Sequence, residues 1–114
     1  DVSVVPSLFE PFGIVALEAM AAKSPVVVSD TGGLSEIVEH DVSGVKAYVD
    51  NPDSLAWGII KVLSDDGYAN WIRTNAYKKI QEKYGWDKIA LQTQDAYKNV
   101  LNEYSKSFWA QKAK

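Results

Sequence analysis

Two carboxylates stand out for where they fall in the chain. Glu18 is the only charge in the apolar run from Gly13 to Ala22. A carboxylate among Val15, Leu17 and Met20 must reach solvent or find donors, because burying it unpaired is costly. Ligand hydroxyls are suitable donors; half exposure or a backbone amide would serve as well. Glu10 precedes Pro11, which biases it toward extended backbone. It falls on a loop between an apolar strand and a helix, and in open α/β sheets ligands bind beyond the C-terminal ends of strands. A carboxylate there faces the cleft, or is a solvated loop acid. Between the two lies Gly13, which with Phe12 and Ile14 presents unpaired N–H groups at a helix start. Such groups, with the helix dipole, favour an anion, and a phosphate is the natural guest. Thr31-Gly32-Gly33 repeats the arrangement after the next strand, as a loop leading into a helix at Leu34. The two loops could line one phosphate-binding cleft, although an ordinary turn between strand and helix reads the same way.

Several chemistries are excluded at once. The chain has 114 residues and no cysteine, so disulfides, thiolate nucleophiles and cysteine metal sites are absent. A single histidine, His40, argues against a histidine metal cluster or a Ser-His-Asp triad. His40 follows the short helix Leu34 to Glu39, where a protonated imidazole would favour the helix C-terminus. Residues 1–57 hold two basic residues, Lys23 and Lys46, and nine acidic ones, whereas residues 58–114 hold ten basic and six acidic. The basic residues are spread along helical patterns rather than gathered into a stripe, which argues against nucleic-acid binding. No apolar run approaches the ~18 residues of a membrane span. We expect no membrane span, no metal, no cofactor and a cytoplasmic protein.

The elements that must position these residues alternate between strand and helix. Val2 to Val5 is a β-branched run closed by Pro6, and Pro25 to Ser29 is a second one. Gly44 to Val49 is a third short strand. With helices at Gly13–Ala22 and Leu34–Glu39 between them, the order predicts an α/β fold with parallel strands. The second half is helical. Asn51-Pro52-Asp53 is a helix start, with a cap, a proline in the first turn and an early acid. Leu55, Ile59, Ile60, Val62 and Leu63 give that helix its apolar face. Tyr68 to Tyr84 is a further helix with Trp71, Ile72, Ala76 and Ile80 on one side. Trp86-Asp87 opens the last helix, with Asp87 able to cap it, and Ala110 to Lys114 reads as a frayed tail. Three strands are few for this class, and an unpaired first strand predicts that earlier strands precede Asp1.

The stretch from Pro6 to Ala21 resembles the E-x7-E signature of retaining glycosyltransferases with the GT-B fold. The nearest resemblance is to family 4, with the glycogen and starch synthases close by. It continues through Pro25-Val26-Val27, Asp30, Gly32-Gly33-Leu34, Glu36-Ile37-Val38, Gly44 and Asn51-Pro52, to Trp86 and the final helix. It implies a Rossmann-like parallel sheet with flanking helices. Residues 1–114 would be the C-terminal portion of the second, nucleotide-sugar-binding domain. The terminal helix, 86–109, would reach back toward an N-terminal domain that this chain lacks.

The resemblance also implies roles. Glu10 would contact the donor sugar hydroxyls and support developing positive charge, and Glu18 would take the ribose hydroxyls. The amides of Phe12, Gly13 and Ile14 would hold sugar or diphosphate, with Thr31, Gly32 and Gly33 lining the same pocket. The donor would be a UDP-, ADP- or GDP-hexose, and the acceptor a saccharide or other hydroxyl compound bound through the N-terminal domain. Retention is ascribed to same-face attack assisted by the leaving phosphate, without a required metal. The phosphate-binding Arg and Lys would come from earlier in the domain, so this chain alone would be inactive. A non-catalytic nucleotide-sugar-binding module is the alternative; the E-x7-E spacing argues against an epimerase.

Two positions depart from the family pattern. Lys23 and Asp41 stand where glycine is usual: Lys23 must adopt a left-handed cap or end the helix differently, whereas Asp41 is a mild change because Asp tolerates turns. The four tryptophans, Trp57, Trp71, Trp86 and Trp109, fall on helical patterns, which predicts packing in the core or against another domain rather than sugar stacking. If the last helix crosses to the N-terminal domain, some of Tyr104, Phe108 and Trp109 would be left on the surface of this chain.

Overall fold

The computed structural model describes residues 1–108. Three strands form one parallel sheet in the order β1 (Ser3–Val5), β2 (Val26–Ser29), β3 (Val45–Ala47). The register pairs Val4 with Val27 and Val28 with Lys46. Helix α1 (Ile14–Ala21) connects β1 to β2, and α2 (Gly32–Ile37) connects β2 to β3. Then follow α3 (Pro52–Ser64), α4 (Asp66–Lys83) and α5 (Trp86–Lys106). The expected α/β fold is what is found.

All four residues of β2 are buried, as befits a central parallel strand covered on both faces. Alternation along the strand divides the core. Val27, with its register partner Val45, packs with Val62 of α3 and with Ala69 and Ile72 of α4. Gly58 lets α3 approach: a Cβ there would lie 3.0 Å from both Val27 and Val45. On the side of α1 and α2 the buried residues include Ala16, Met20, Leu34 and Ile37.

The helix starts follow local chemistry. Asn51 caps α3, its Oδ1 accepting the Ser54 N–H at 2.9 Å, with Pro52 in the first turn. Helix α5 is capped instead by Gly85, and Asp87 sits inside its first turn. The strands are shorter than expected, β3 losing Gly44 and Tyr48–Val49, and α2 starts two residues early, at Gly32.

Of the two expectations for the tryptophans, packing in the core is not what is found for Trp57, Trp71 and Trp86. Trp57 and Trp71 are about half exposed and Trp86 is more so, while Trp109 lies outside the described residues, as does the tail from Ala110. On α3 the buried positions are Gly58 and Val62, with Leu55 and Ile59 partly buried, whereas Ile60 and Leu63 face solvent. Hydrophobic spacing marks both sides of this helix; the sheet selects the side carrying the glycine.

Of the two alternatives for Lys23 the left-handed cap is found, with φ of 58°, and Asp41 is left-handed as well, with φ of 61°. The Lys23 ammonium lies 4.5 Å from the Tyr77 ring centre. Asp41 is pinned to the helices behind it. Its Oδ1 accepts from Lys61 Nζ at 2.7 Å and from the Tyr68 hydroxyl, and its carbonyl accepts from Trp71 Nε1 at 3.1 Å. His40 does not cap α2: its Nδ1 accepts the Lys46 N–H at 2.9 Å.

Lys61 and then Tyr68 hold the Asp41 carboxyl below its ordinary range, while burial and the Asp41 carboxylate push the Tyr68 phenol up. A carboxyl lowered in the folded state stabilises above its unfolded pKa of ~3.9 and loses that contribution as pH falls through its folded value. The stability advantage of wild type over Asp41→Asn should therefore be largest above about pH 5 and shrink below about pH 4. Urea unfolding of both proteins from pH 7 to pH 3 measures it, and a pH-independent difference would remove the carboxylate's role.

Residues 1–82 form one compact unit, and a second begins at Lys83. Helix α5, in the second, has no buried residue, and Leu91, Tyr97, Val100, Leu101 and Tyr104 are exposed, as is Phe108 just beyond it. Among the described residues no helix is long and apolar enough to cross a membrane.

Candidate functional site

The loop after β1 brings Glu10 to the C-terminal end of the sheet and turns at Gly13 into α1. Gly13 is the N-cap of α1, with φ 101° and ψ 36°. Its conformation and its surroundings both require glycine, since a Cβ would lie 2.9 Å from Leu34 Cδ2 and 3.2 Å from Ile37 Cδ1. The carbonyl of Gly13 accepts the N–H of Ala16 at 3.1 Å. Among the described residues the amides of Phe12, Gly13 and Ile14 have no backbone acceptor, as expected at a helix N-terminus.

Glu18 projects to solvent, which resolves its exposure in favour of the open surface. Glu10 is partly buried. Among the described residues neither carboxylate has a hydrogen-bond or ion-pair partner. Around them Leu8, Phe9, Phe12, Ile14 and Val15 are exposed, so the carboxylates sit in an apolar border.

The second loop lies against the first. Gly33 N–H donates to the Glu10 carbonyl at 2.9 Å, and the Thr31 hydroxyl reaches the Leu8 carbonyl at 3.5 Å. A Cβ on Gly32 would lie 2.1 Å from the Glu10 carbonyl oxygen, and one on Gly33 2.0 Å from that of Phe12. These approaches explain why α2 begins with two glycines, which by propensity alone read as loop. Thr31, Gly32 and Gly33 are thus brought to Glu10, Phe12 and Gly13. The Gly33 amide is committed to Glu10, however, and Thr31 N–H to the Ser29 carbonyl at 2.9 Å. The second loop braces the first with its own polar backbone groups.

Neither cation of residues 1–57 stands free beside the carboxylates. Lys23 is over Tyr77, and Lys46 Nζ lies 3.1 Å from Asp30 Oδ1 and donates to the Ser35 carbonyl at 2.8 Å. The Ser35 hydroxyl also donates to Asp30 Oδ1 at 2.6 Å, and this bond, then Lys46, holds the Asp30 carboxyl below its ordinary range. Sequence reading missed these partnerships because they join residues from different elements. Among the described residues no cluster of three His, Cys, Asp or Glu could hold a metal ion.

Comparison with known proteins places this geometry. The chain is 59% identical over 101 residues to an uncharacterized glycosyltransferase of Methanocaldococcus jannaschii, covering 89% of this chain and 26% of that protein. It is 37% identical over 97 residues to a glycogen synthase of Mycobacterium tuberculosis, covering 85% of this chain and 23% of that enzyme. Among solved structures, Anabaena HepE in complex with UDP-glucose superposes with a TM-score of 0.83 at 30% identity, over 87% of this chain and 28% of that one. The chain spans about a quarter of the length of these relatives. Its parallel sheet and flanking helices match the C-terminal domains of GT-B glycosyltransferases. Residues 1–79 match the model of the glycosyl transferases group 1 family, and the chain belongs to that family.

Proposed function

We propose that this chain is the donor-binding portion of a larger retaining, family 4-type glycosyltransferase that moves a hexose from a nucleotide diphosphate sugar to a hydroxyl acceptor. The observation that carries the reading is the pair of carboxylates, Glu10 and Glu18, which have no partner among the described residues and flank the amides of Phe12, Gly13 and Ile14, likewise without a backbone acceptor there, on a braced loop. The amides and the α1 dipole take the sugar or diphosphate. Glu10 lies beside the sugar, where a carboxylate stabilises an oxocarbenium-like transition state. Glu18, exposed and unpaired, takes the ribose hydroxyls. Thr31, Gly32 and Gly33 line the same pocket, and the Gly33 N–H and Thr31 hydroxyl also brace the first loop. The acceptor oxygen attacks the anomeric carbon from the face the diphosphate leaves, and the departing phosphate takes the acceptor proton. The cations that neutralise the diphosphate come from outside residues 1–57, whose two lysines are engaged elsewhere. The UDP-glucose complex of HepE supports a nucleotide-sugar donor.

Titration with UDP-glucose and ADP-glucose, followed by a transfer assay, tests the proposal on the full-length protein. Glu18→Ala should weaken binding of the preferred nucleotide about tenfold, or about 1.4 kcal/mol, and the 114-residue chain alone should not turn over. Donor binding without transfer by the full-length protein would favour a non-catalytic module instead, and unchanged nucleotide affinity in the variant would remove Glu18 from the site.

A further inference from the structure

A groove of about 720 Å³ runs along β3 from Asp30 to Trp57, and its walls combine aromatic and polar groups. Tyr48 is 75% exposed and Trp57 50% exposed. The Trp57 indole is held in place: His40 stacks on it with ring centroids 6.4 Å apart, and the Lys61 ammonium lies 4.9 Å from the ring centre.

The polar groups have spare capacity of both kinds. Asp30 Oδ1 receives Ser35 and Lys46, which leaves Oδ2 to accept from a ligand. Asn51 uses its Oδ1 on the Ser54 N–H, which leaves its NH₂ to donate. The Ser54 hydroxyl accepts the Tyr48 N–H at 3.0 Å and keeps its own proton to give. Asp53 adds a second carboxylate.

Charge narrows the ligand. Asp30 and Asp53 are carboxylates, Lys46 is already paired with Asp30 and the nearby Lys61 with Asp41, so no lysine here is free to hold a phosphate or nucleotide. A ligand that donates and accepts many hydrogen bonds, carries no charge and has apolar C–H faces for aromatic rings is a saccharide. The lining residues His40, Tyr48, Asn51, Asp53 and Trp57 are all exposed, so the groove admits a chain rather than enclosing one ring. We infer that this groove binds a neutral oligosaccharide, through residues other than Glu10, Glu18 and the amides of Phe12, Gly13 and Ile14.

Titrating the full-length protein with maltohexaose and with cellohexaose, in the absence of any donor, tests the inference. One of them should bind saturably and shift the Trp57 indole N–H and the Asn51 side-chain amide in NMR spectra. Trp57→Ala should weaken that binding roughly tenfold, about 1.4 kcal/mol, while UDP and inorganic phosphate should not displace the sugar. Tyr48→Ala, whose side chain is largely in solvent, should weaken it in the same sense and serves if Trp57→Ala fails to fold. No saturable shift with either sugar, unchanged affinity in a folded variant, or displacement by UDP would each overturn the inference. Because no donor is present, failure here leaves the Glu10 and Glu18 reading standing, and the reverse holds.

Discussion

Glu10→Ala should lower hexosyl transfer about 10²–10³-fold, or about 3–4 kcal/mol in the barrier, the usual effect of deleting a group aimed at transition-state charge. The loss should fall on kcat more than on KM, because in the role proposed for Glu10 the charge beside it develops only as the glycosidic bond breaks. Glu10→Gln separates charge from hydrogen bonding: the amide still contacts a hydroxyl but does not stabilise a cation, so most of the loss should remain. The fold should survive both changes. What α2 grips is the Glu10 backbone carbonyl, through Gly33 N–H at 2.9 Å, and the carboxylate has no partner among the described residues. Steady-state kinetics with thermal unfolding on the same samples decides the matter. Unchanged turnover in a folded variant would end the assignment.

Gly33→Ala should have the largest effect on stability, about 3 kcal/mol. The added methyl would be placed 2.0 Å from the Phe12 carbonyl oxygen, and backbone cannot yield as a flexible side chain does. Relief requires α2 and the Glu10–Gly13 loop to separate, which breaks the Gly33–Glu10 hydrogen bond and uncovers Gly13, packed on Leu34 and Ile37. Gly85→Ala is the matched control. Its Cβ would meet nothing within 4 Å and its φ of −67° suits alanine, so the change should be within about 0.5 kcal/mol. Urea midpoints for the two variants give the comparison. Equal stability would mean that the two loops are not interlocked.

The α/β order was legible because its signals are local. β-branched runs such as Val26-Val27-Val28, punctuated by Pro6, Pro25 and the glycine loops, carry strand and turn chemistry within a few residues. The N-terminal position of Gly13 was legible for the same reason, and so was the Asn51 cap. What sequence did not disclose depends on partners distant in the chain. The Asp41 network joins residues 20, 27 and 30 positions apart, and no periodicity marks such pairs. Gly32-Gly33 looks like loop until the Glu10 and Phe12 carbonyls lie against it. Ile60, Leu63, Trp57 and Trp71 look like core because helical spacing identifies an apolar stripe without saying how far around the helix the sheet extends. The two glutamates were legible as anomalies, whereas the brace behind Glu10 needed tertiary structure.

The contact between the two loops runs through carbonyl oxygens and absent side chains, which gives it an evolutionary asymmetry. At position 12 any L-residue supplies the same carbonyl, so that exposed side chain is free to drift. At positions 32 and 33 no such drift is open, and no change at Glu10 or Phe12 can compensate for a methyl there. Lineages can therefore rework the exposed apolar border around the carboxylates while inheriting the glycine pair unchanged.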